Sequence, residues 1–160
     1  MPHIRPLVAL DREAVRHIVE ATGNFSDAEV ATALELVDEW LHEGEASGYI
    51  TRVIDEPERG VRGYVCYGPA PLTDGTYDLY WIAVDPAAQG RGYGQQLLGH
   101  AESDVRQRGG RLLLIETSSQ ATYSATIHFY ERAGYELAAR IQDYYRPGDD
   151  KLVFAKRLAK

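Results

Sequence analysis

The segment that most constrains the fold of this chain is an unbroken succession of strand, glycine-rich turn, helix and strand in residues 76–117. The sequence predicts a strand over 76–84, ended by an Asp-Pro pair, and a helix over 92–108 that stops at a Gly-Gly pair. The apolar run Leu112–Ile115 then predicts a strand buried on both faces. Two strands joined through a helix form a parallel pair with a right-handed crossover, so this unit predicts a sheet that contains at least one parallel pair.

The rest of the chain adds shorter elements on both sides of this unit. Ser26-Asp27-Ala28-Glu29 is a capping box that predicts a helix start, and Asp11 is predicted to cap an earlier helix. Turn-rich joints between neighbouring strands indicate antiparallel hairpins, one of them around residues 146–150. We predict an α+β fold, an α/β mixed sheet of about seven strands with four helices, in a single domain over residues 1–160. The further strands are expected at 3–9, 49–55, 61–67, 135–144 and 152–158, and the last helix at 122–133.

Charge and composition exclude several classes of partner. The net charge is -7, and residues 1–60 carry thirteen acidic against five basic side chains, whereas residues 61–160 carry eleven against twelve. An acidic first third argues against nucleic acid and is compatible with steering of a cationic substrate. No apolar stretch is long enough for a membrane span, and the N-terminus lacks the apolar core of a signal peptide. With Cys66 as the single cysteine, we expect a cytoplasmic protein without a disulfide.

The glycine turn suits an anion. Gly90, Gly92 and Gly94 bracket the start of a helix, where unpaired N–H groups and the positive end of the helix dipole lie together. Glycines leave room for a bulky phosphate to approach the backbone, Arg91 adds positive charge, and Gln89 adds a neutral hydrogen-bonding group. The pattern therefore predicts a pyrophosphate site.

Three kinds of phosphate site compete for this turn. A Walker A loop needs a lysine, and none is near. A dinucleotide fingerprint needs a third glycine, but counting from Gly90 or Gly92 the sixth position is Gln95 or Leu97, although Glu116 lies about where a ribose-binding acid would be. A coenzyme A pyrophosphate site, Gln-x-x-Gly-x-Gly, is matched at every fixed position. Coenzyme A is the interpretation that the sequence favours.

Three segments together resemble the GNAT superfamily of acyl-CoA N-acyltransferases, and the likeness extends over essentially the whole chain. The segments are Ile82-Ala83-Val84-Asp85-Pro86, Gln89 to Gly94, and Phe129-Tyr130-Glu131-Arg132-Ala133-Gly134-Tyr135. The last third, through Asp143-Tyr144-Tyr145, looks most like the branch that acetylates protein N-termini, notably the ribosomal-protein alanine acetyltransferases. The resemblance implies a GNAT-like, splayed sheet that holds acetyl-CoA between the strand ending at Val84 and the strand ending near Thr117.

The resemblance also implies which residues hold the donor. Backbone groups of the strand end would pair with the pantetheine arm, and those of the glycine turn would hold the pyrophosphate. Tyr123 stands where relatives often carry an asparagine that touches pantetheine, and the segment 118–122 is longer than in the alanine acetyltransferases. The expected cofactor-binding residues are Ile82, Ala83, Val84, Gln89, Gly90, Arg91, Gly92, Tyr93, Gly94 and Tyr123.

Amine acetylation requires a base for the ammonium, whose pKa is about 10.4, and an acid for the leaving thiolate. Tyr130, four residues before Gly134, is the candidate acid by its likeness to the family's tyrosine. Glu116 is the favoured base by likeness to the alanine acetyltransferases, Asp78 is the second candidate, and a water relay without a single base is the third. The five histidines show no metal-ligand spacing, so we expect no metal.

The sequence thus predicts an acetyl-CoA-dependent N-acetyltransferase that transfers acetyl directly to a primary amine in a ternary complex. The acceptor is expected to be a cationic small molecule or peptide, with neither nucleic acid nor membrane as partner. The alternative is a non-enzymatic acyl-CoA-binding regulatory module, and a nucleotide-dependent oxidoreductase fragment is a third hypothesis. The sequence leaves open whether the protein is a monomer or a homodimer.

Overall fold

The computed structural model describes residues 1–158 and arranges seven strands in one mixed sheet in the order β1-β2-β3-β4-β5-β7-β6. The strands are β1 His3–Pro6, β2 Ile50–Glu56, β3 Gly60–Pro69, β4 Thr76–Val84, β5 Leu112–Ser118, β6 Glu136–Arg146 and β7 Asp149–Arg157. The α-helices are α1 Arg12–Ala21, α2 Asp27–Glu43, α3 Tyr93–Gln107 and α4 Ser124–Arg132. Neighbouring strands are antiparallel except the pair β4–β5. The predicted mixed sheet with four helices is therefore confirmed.

The helices cover the two faces of the sheet unequally. On one face, Leu97 and Val105 of α3 and Tyr130 of α4 share a core with side chains of β3, β4, β5 and β7. On the other face, Val15 of α1 and Val37 of α2 pack against β2, β3 and β4. Apolar burial on both faces holds the central strands in place. The second core does not extend over β5 and β7, which leaves that part of the sheet open to solvent.

The open part of the sheet corrects one prediction. β5 was expected to be buried on both faces, but its side chains alternate: Leu113 and Ile115 are buried, whereas Leu112 and Leu114 are only half-buried. The apolar run identified a strand correctly, but a run of leucines carries no information on whether a second helix layer covers it. The uncovered face is the one that carries the candidate catalytic carboxylates.

Two predictions near the N-terminus are also corrected. β1 ends at Pro6 rather than at residue 9, because a 3-10 turn, Ala9–Asp11, precedes α1. Asp11 does not cap the helix: its backbone is already helical, and its carboxylate accepts hydrogen bonds from the N–H of Val8 and from Arg5, each at 2.8 Å. An N-cap needs extended backbone so that its side chain reaches forward, and Asp11 lacks this.

The second helix starts as predicted. The hydroxyl of Ser26 accepts from the N–H of Glu29 at 3.1 Å, and the carboxylate of Glu29 accepts from the N–H of Ser26 at 2.9 Å. At the other end of the chain, the hairpin turn is tighter than the predicted 146–150. β6 and β7 pair as far as Arg146 and Asp149, which leaves a Pro-Gly turn whose glycine has a φ of 83°.

Two buried tyrosines of β3 provide a matched test of the core. The hydroxyl of Tyr64 has no hydrogen-bond partner within residues 1–158, whereas that of Tyr67 donates to Asp104 at 2.7 Å. Removing an unpaired buried hydroxyl costs nothing in hydrogen bonding, but removing a bond to a carboxylate costs about 1.5–3 kcal/mol. We expect Tyr64→Phe to leave the free energy of unfolding in urea unchanged or raised by up to about 1 kcal/mol. Tyr67→Phe is expected to lower it; equal losses in both variants would contradict this explanation.

Candidate active site

The sheet divides between β4 and β5. The two strands pair only from Thr76 with Leu112 to Leu79 with Ile115, and both continue for several residues beyond the last pair. Past that point the facing backbone groups of the two strands no longer satisfy each other. A cleft of about 1560 Å³ opens there, with the end of β4 on one side and the end of β5 on the other. An extended ligand can pair with such free strand edges as an added strand does.

An irregularity in β4 marks the start of the cleft. Tyr67 of β3 pairs with Leu79, and the next β3 residue toward the N-terminus, Cys66, pairs with Trp81, so Tyr80 has no partner in β3. A bulge of this kind bends the strand and changes which face its side chains point to. Beyond the bulge, the predicted pantetheine-binding residues line the cleft wall: Ile82, Ala83 and Val84.

The glycine turn lies at the mouth of the cleft, between β4 and α3. Gly90 and Gly92 have φ values of 83° and 80°, a region that glycine enters without strain. A Cβ on Gly94 would lie 3.4 Å from the ring of Phe129, so this position is tightly packed. No side chain caps α3, and the N–H groups of its first turn have no intrahelical acceptor. These free N–H groups make the turn suitable for a pyrophosphate.

Tyr130 enters the cleft from the α4 side of the sheet. Only 4% of the residue is exposed, and its ring packs against Phe129, Tyr135 and Phe154 at centroid distances of 5.5, 6.1 and 6.5 Å. Burial raises the pKa of the Tyr130 hydroxyl above its usual range. The hydroxyl is therefore protonated at neutral pH, as a proton donor must be.

Asp78 and Glu116 differ in their surroundings although both line the cleft. Glu116 is exposed, with 52% of its side chain accessible, and pairs with Lys151 at 3.0 Å. Asp78 is half-buried, and within residues 1–158 no cation forms a salt bridge with it. Burial, and to a lesser extent the charge of Glu116, raises the pKa of Asp78 above its ordinary value. A raised pKa makes a carboxylate a stronger base.

The candidate acid and the two carboxylates lie on opposite faces of the sheet. Leu79 and Ile115 point into the core beneath α3 and α4, together with Tyr130. Side chains alternate along a strand, so Asp78 and Glu116 point to the other face. The cleft between β4 and β5 connects the two faces. A group bound there is accessible to a proton donor from one side and to a base from the other.

Three hydrogen bonds close the sides of the cleft. The hydroxyl of Tyr123 donates to the carbonyl oxygen of Asn24 at 2.9 Å, which joins the turn before α4 to the α1–α2 loop. The longer segment after β5 is fastened to the β6–β7 turn, where Ser118 donates to Asp149 and the N–H of Ser119 donates to the carbonyl of Asp150 at 3.0 Å. The residues of segment 118–122 thus form part of the cleft wall. The hydroxyl of Tyr123 is already occupied by its hydrogen bond to Asn24.

Acidic side chains outnumber basic ones around the cleft. Its lining includes four carboxylates and two guanidinium groups: Glu29, Asp78, Glu116, Asp149, Arg132 and Arg146. Arg146 pairs with Asp149 at 3.2 Å, so part of this charge is already neutralised. Glu116 is likewise paired with Lys151, so Glu29 and Asp78 against Arg132 leave a small negative excess, to which the acidic first third of the sequence contributes only Glu29. In the described part of the chain, no cluster of three His, Cys, Asp or Glu residues could hold a metal ion. No helix there is long and apolar enough to cross a membrane.

Two residues near the site were not found from the sequence. Glu56, at the end of β2, contacts both Arg91 and Tyr93 of the glycine turn. Lys151, on β7, pairs with Glu116. Both depend on which strands are neighbours, and only a correct strand order with its register would have brought them to the turn and to β5.

Known proteins share this fold. The model of the acetyltransferase (GNAT) family matches residues 13–135. The crystal structure of a GNAT-family protein from Desulfovibrio desulfuricans is 46% identical, covers 99% of this chain and 100% of its own, and superposes with a TM-score of 0.95. The [ribosomal protein bS18]-alanine N-acetyltransferase of Escherichia coli is 36% identical over 73 residues, 46% of this chain. The blasticidin-S acetyltransferase of Streptomyces morookaense is 37% identical over 81 residues, 51% of this chain.

The likeness to the two curated relatives is partial. The matched segments span 48% of the alanine acetyltransferase and 55% of the blasticidin-S acetyltransferase, so the chain matches about half the length of each. The family and the fold therefore rest on the family model and on the structural relative, which is matched over its whole length.

Proposed function

Because this chain belongs to the acetyltransferase (GNAT) family, we propose that it is an acetyl-CoA-dependent N-acetyltransferase that acts on a primary amine, with residues 1–160 as one catalytic domain. The observation that carries the proposal is the divided sheet. β4 and β5 separate after Leu79 and Ile115, and a turn with free N–H groups lies at the mouth of the resulting cleft. A long acyl donor with a pyrophosphate at its distal end fits this arrangement.

The chain's own groups account for binding of the donor. The free edge of β4 at Ile82–Val84 can pair with the amides of a pantetheine arm. Gly90 to Gly94 present N–H groups and the positive end of α3 to the pyrophosphate, and Gln89 lies at the start of this turn. Acetyl-CoA supplies an activated thioester. With its hydroxyl bonded to Asn24, Tyr123 contributes to donor binding as a wall of the cleft.

Transfer of the acetyl group needs two proton movements, and the two faces of the sheet supply one each. We assign Asp78 as the group that accepts a proton from the ammonium, because it is half-buried, unpaired and has a raised pKa. Glu116, the base that the sequence favoured, becomes the second candidate, because Lys151 holds it in an ion pair. Tyr130 donates a proton to the departing sulfur from the opposite face.

Direct transfer is supported by the position of the only cysteine. Cys66 is buried under α1 and α2, and burial raises the pKa of its thiol to about 12. A thiol of this kind is neither accessible nor ionised, so it cannot carry the acetyl group as a covalent intermediate. The absence of an accessible thiol favours direct transfer, in which amine and donor are bound together.

The acceptor that fits the cleft best is a cationic amine. Carboxylates outnumber guanidinium groups in the lining, and the aromatic rings of Phe25 and Trp81 pack edge to face on the wall beside β4 at 5.3 Å. Negative charge and aromatic surface together favour a cation. A peptide N-terminus and a cationic small molecule are both compatible with this cleft, and the two curated relatives are named for an alanine of a ribosomal protein and for blasticidin S.

A substrate panel tests this function. Purified protein is given acetyl-CoA and an alanine-terminated peptide, a polyamine, an aminoglycoside or blasticidin S, and release of the CoA thiol is measured. We expect amine-dependent release with at least one cationic compound and none with its N-acetylated form, which is the matched control. Tight CoA binding without release for any amine would favour a regulatory module. Absence of CoA binding would contradict the donor assignment.

A further inference from the structure

The glycine turn is tied to the rest of the sheet through one carboxylate. Glu56, the last residue of β2, accepts hydrogen bonds from Arg91 at 3.2 Å and from the hydroxyl of Tyr93, and pairs with Arg59 at 3.4 Å. The side chain of Glu56 is only 12% exposed, whereas those of the two arginines are about half exposed. The carboxylate of Glu56 therefore contacts three side chains, and two of them, Arg91 and Tyr93, belong to the turn.

The contacts with Glu56 are the hydrogen bonds by which side chains of the glycine turn are joined to the rest of the protein. Within residues 1–158, the side chains of residues 89–94 hydrogen-bond to no group outside the turn other than Glu56. Arg91 and Tyr93 flank Gly92, whose left-handed backbone is open to solvent on the side where a Cβ would stand. Glycine permits this conformation but does not enforce it, because it also permits many others.

An acidic side chain so close to a phosphate site needs a reason, since like charges repel. Arg59 and Arg91 more than offset the charge of Glu56, but the same turn without the acid would be more positive still and would attract a phosphate more strongly. The carboxylate of Glu56 instead provides a fixed hydrogen-bond acceptor on β2 for Arg91 and Tyr93, the residues on either side of Gly92. A turn already held in its binding conformation does not lose that conformational entropy when the ligand binds.

We infer that Glu56 is a positioning residue for the pyrophosphate of coenzyme A: it holds the glycine turn through Tyr93 and Arg91, so that the free N–H groups of α3 point into the cleft. The inference rests on the proposed use of acetyl-CoA. Glu56 touches the turn and has no place among the reacting groups, so its effect is confined to the part of the ligand that carries the phosphates.

The test compares two donors and two variants. S-acetylpantetheine carries the same thioester and arm as acetyl-CoA but lacks the pyrophosphate and nucleotide. Tyr93→Phe removes the tethering hydroxyl without changing any charge, and Glu56→Gln removes the charge. We expect each variant to raise the Kd of CoA, measured by calorimetry, about 5- to 10-fold. The ratio of kcat/KM for acetyl-CoA to that for S-acetylpantetheine should fall by a similar factor.

A matched control separates this effect from loss of a surface ion pair. Glu45 pairs with Arg108 at 2.7 Å, away from the turn, and Glu45→Gln should leave both the Kd and the ratio unchanged. Wild-type values in Tyr93→Phe and Glu56→Gln would overturn the inference. So would equal losses with both donors, which indicate a general structural defect, or tighter CoA binding, which indicates that Glu56 merely competes for Arg91. If the wild-type protein bound no CoA, the proposed function itself would fail.

Discussion

Replacing Tyr130 by phenylalanine is expected to lower kcat by about 10²- to 10³-fold, the usual contribution of a general acid. The KM for acetyl-CoA should change less than twofold. The ring packs against three aromatic side chains, and phenylalanine keeps those contacts, so the melting temperature should stay within a few degrees of the wild-type value. Steady-state kinetics at saturating amine, together with a thermal melt, measure both effects.

A second tyrosine provides the control for this experiment. Tyr64 is also fully buried but lies beneath α1 and α2, in the other core. Tyr64→Phe makes the same chemical change and should leave kcat unaltered. Wild-type turnover in Tyr130→Phe would remove the tyrosine from the mechanism. An equal loss in both variants would point to a nonspecific effect on the fold.

The second large effect is expected at Asp78. Asp78→Asn should lower kcat/KM by about 10²-fold, because the amide cannot accept the ammonium proton. A base acts only when ionised, so activity should rise with pH through the pKa of Asp78, which burial raises above the ordinary value of an aspartate. In the variant this acidic limb of the pH–rate profile should disappear.

Glu116→Gln separates the two carboxylates. The charge of Glu116 helps to raise the pKa of Asp78, so its removal should shift the acidic limb to lower pH without abolishing it. The freed Lys151 acts in the same direction, because a nearby cation favours the ionised form of Asp78. Loss of the limb in Glu116→Gln, with a retained limb in Asp78→Asn, would make Glu116 the base. A limb that survives in both variants would favour a water relay.

Much of the fold could be predicted from local patterns. The capping box placed the start of α2, and the bounds 76–84 agree with β4 at both ends. The resemblance to the GNAT superfamily is confirmed by the family match over residues 13–135. Local patterns were less informative where an element depends on its neighbours. The β6–β7 hairpin extends further into the predicted turn because cross-strand pairing reaches Arg146 and Asp149.

Some site residues could likewise be predicted from the sequence, whereas the roles of others depend on neighbouring elements. The glycine turn was proposed from its motif and Tyr130 from its likeness to the tyrosine of the family, and the structure brings both to the cleft. Motifs and spacing could not predict which of Asp78 and Glu116 is the better candidate base. Spacing gives each a position on a strand, but burial and the pairing of Glu116 with Lys151 depend on strand order and on which face lacks a helix.

The sequence by itself determined the parts of this protein that lie within one turn or one crossover of each other. Backbone conformation at glycines, capping and hydrophobic periodicity are local, so Gln89–Gly94 already predicted an anion site at a helix start. Only the tertiary structure decided where β4 and β5 separate, that Tyr130 and the two carboxylates lie on opposite faces of the sheet, and that Glu56 contacts a turn 35 residues away. Those features come from register and packing between distant segments, which no local pattern encodes.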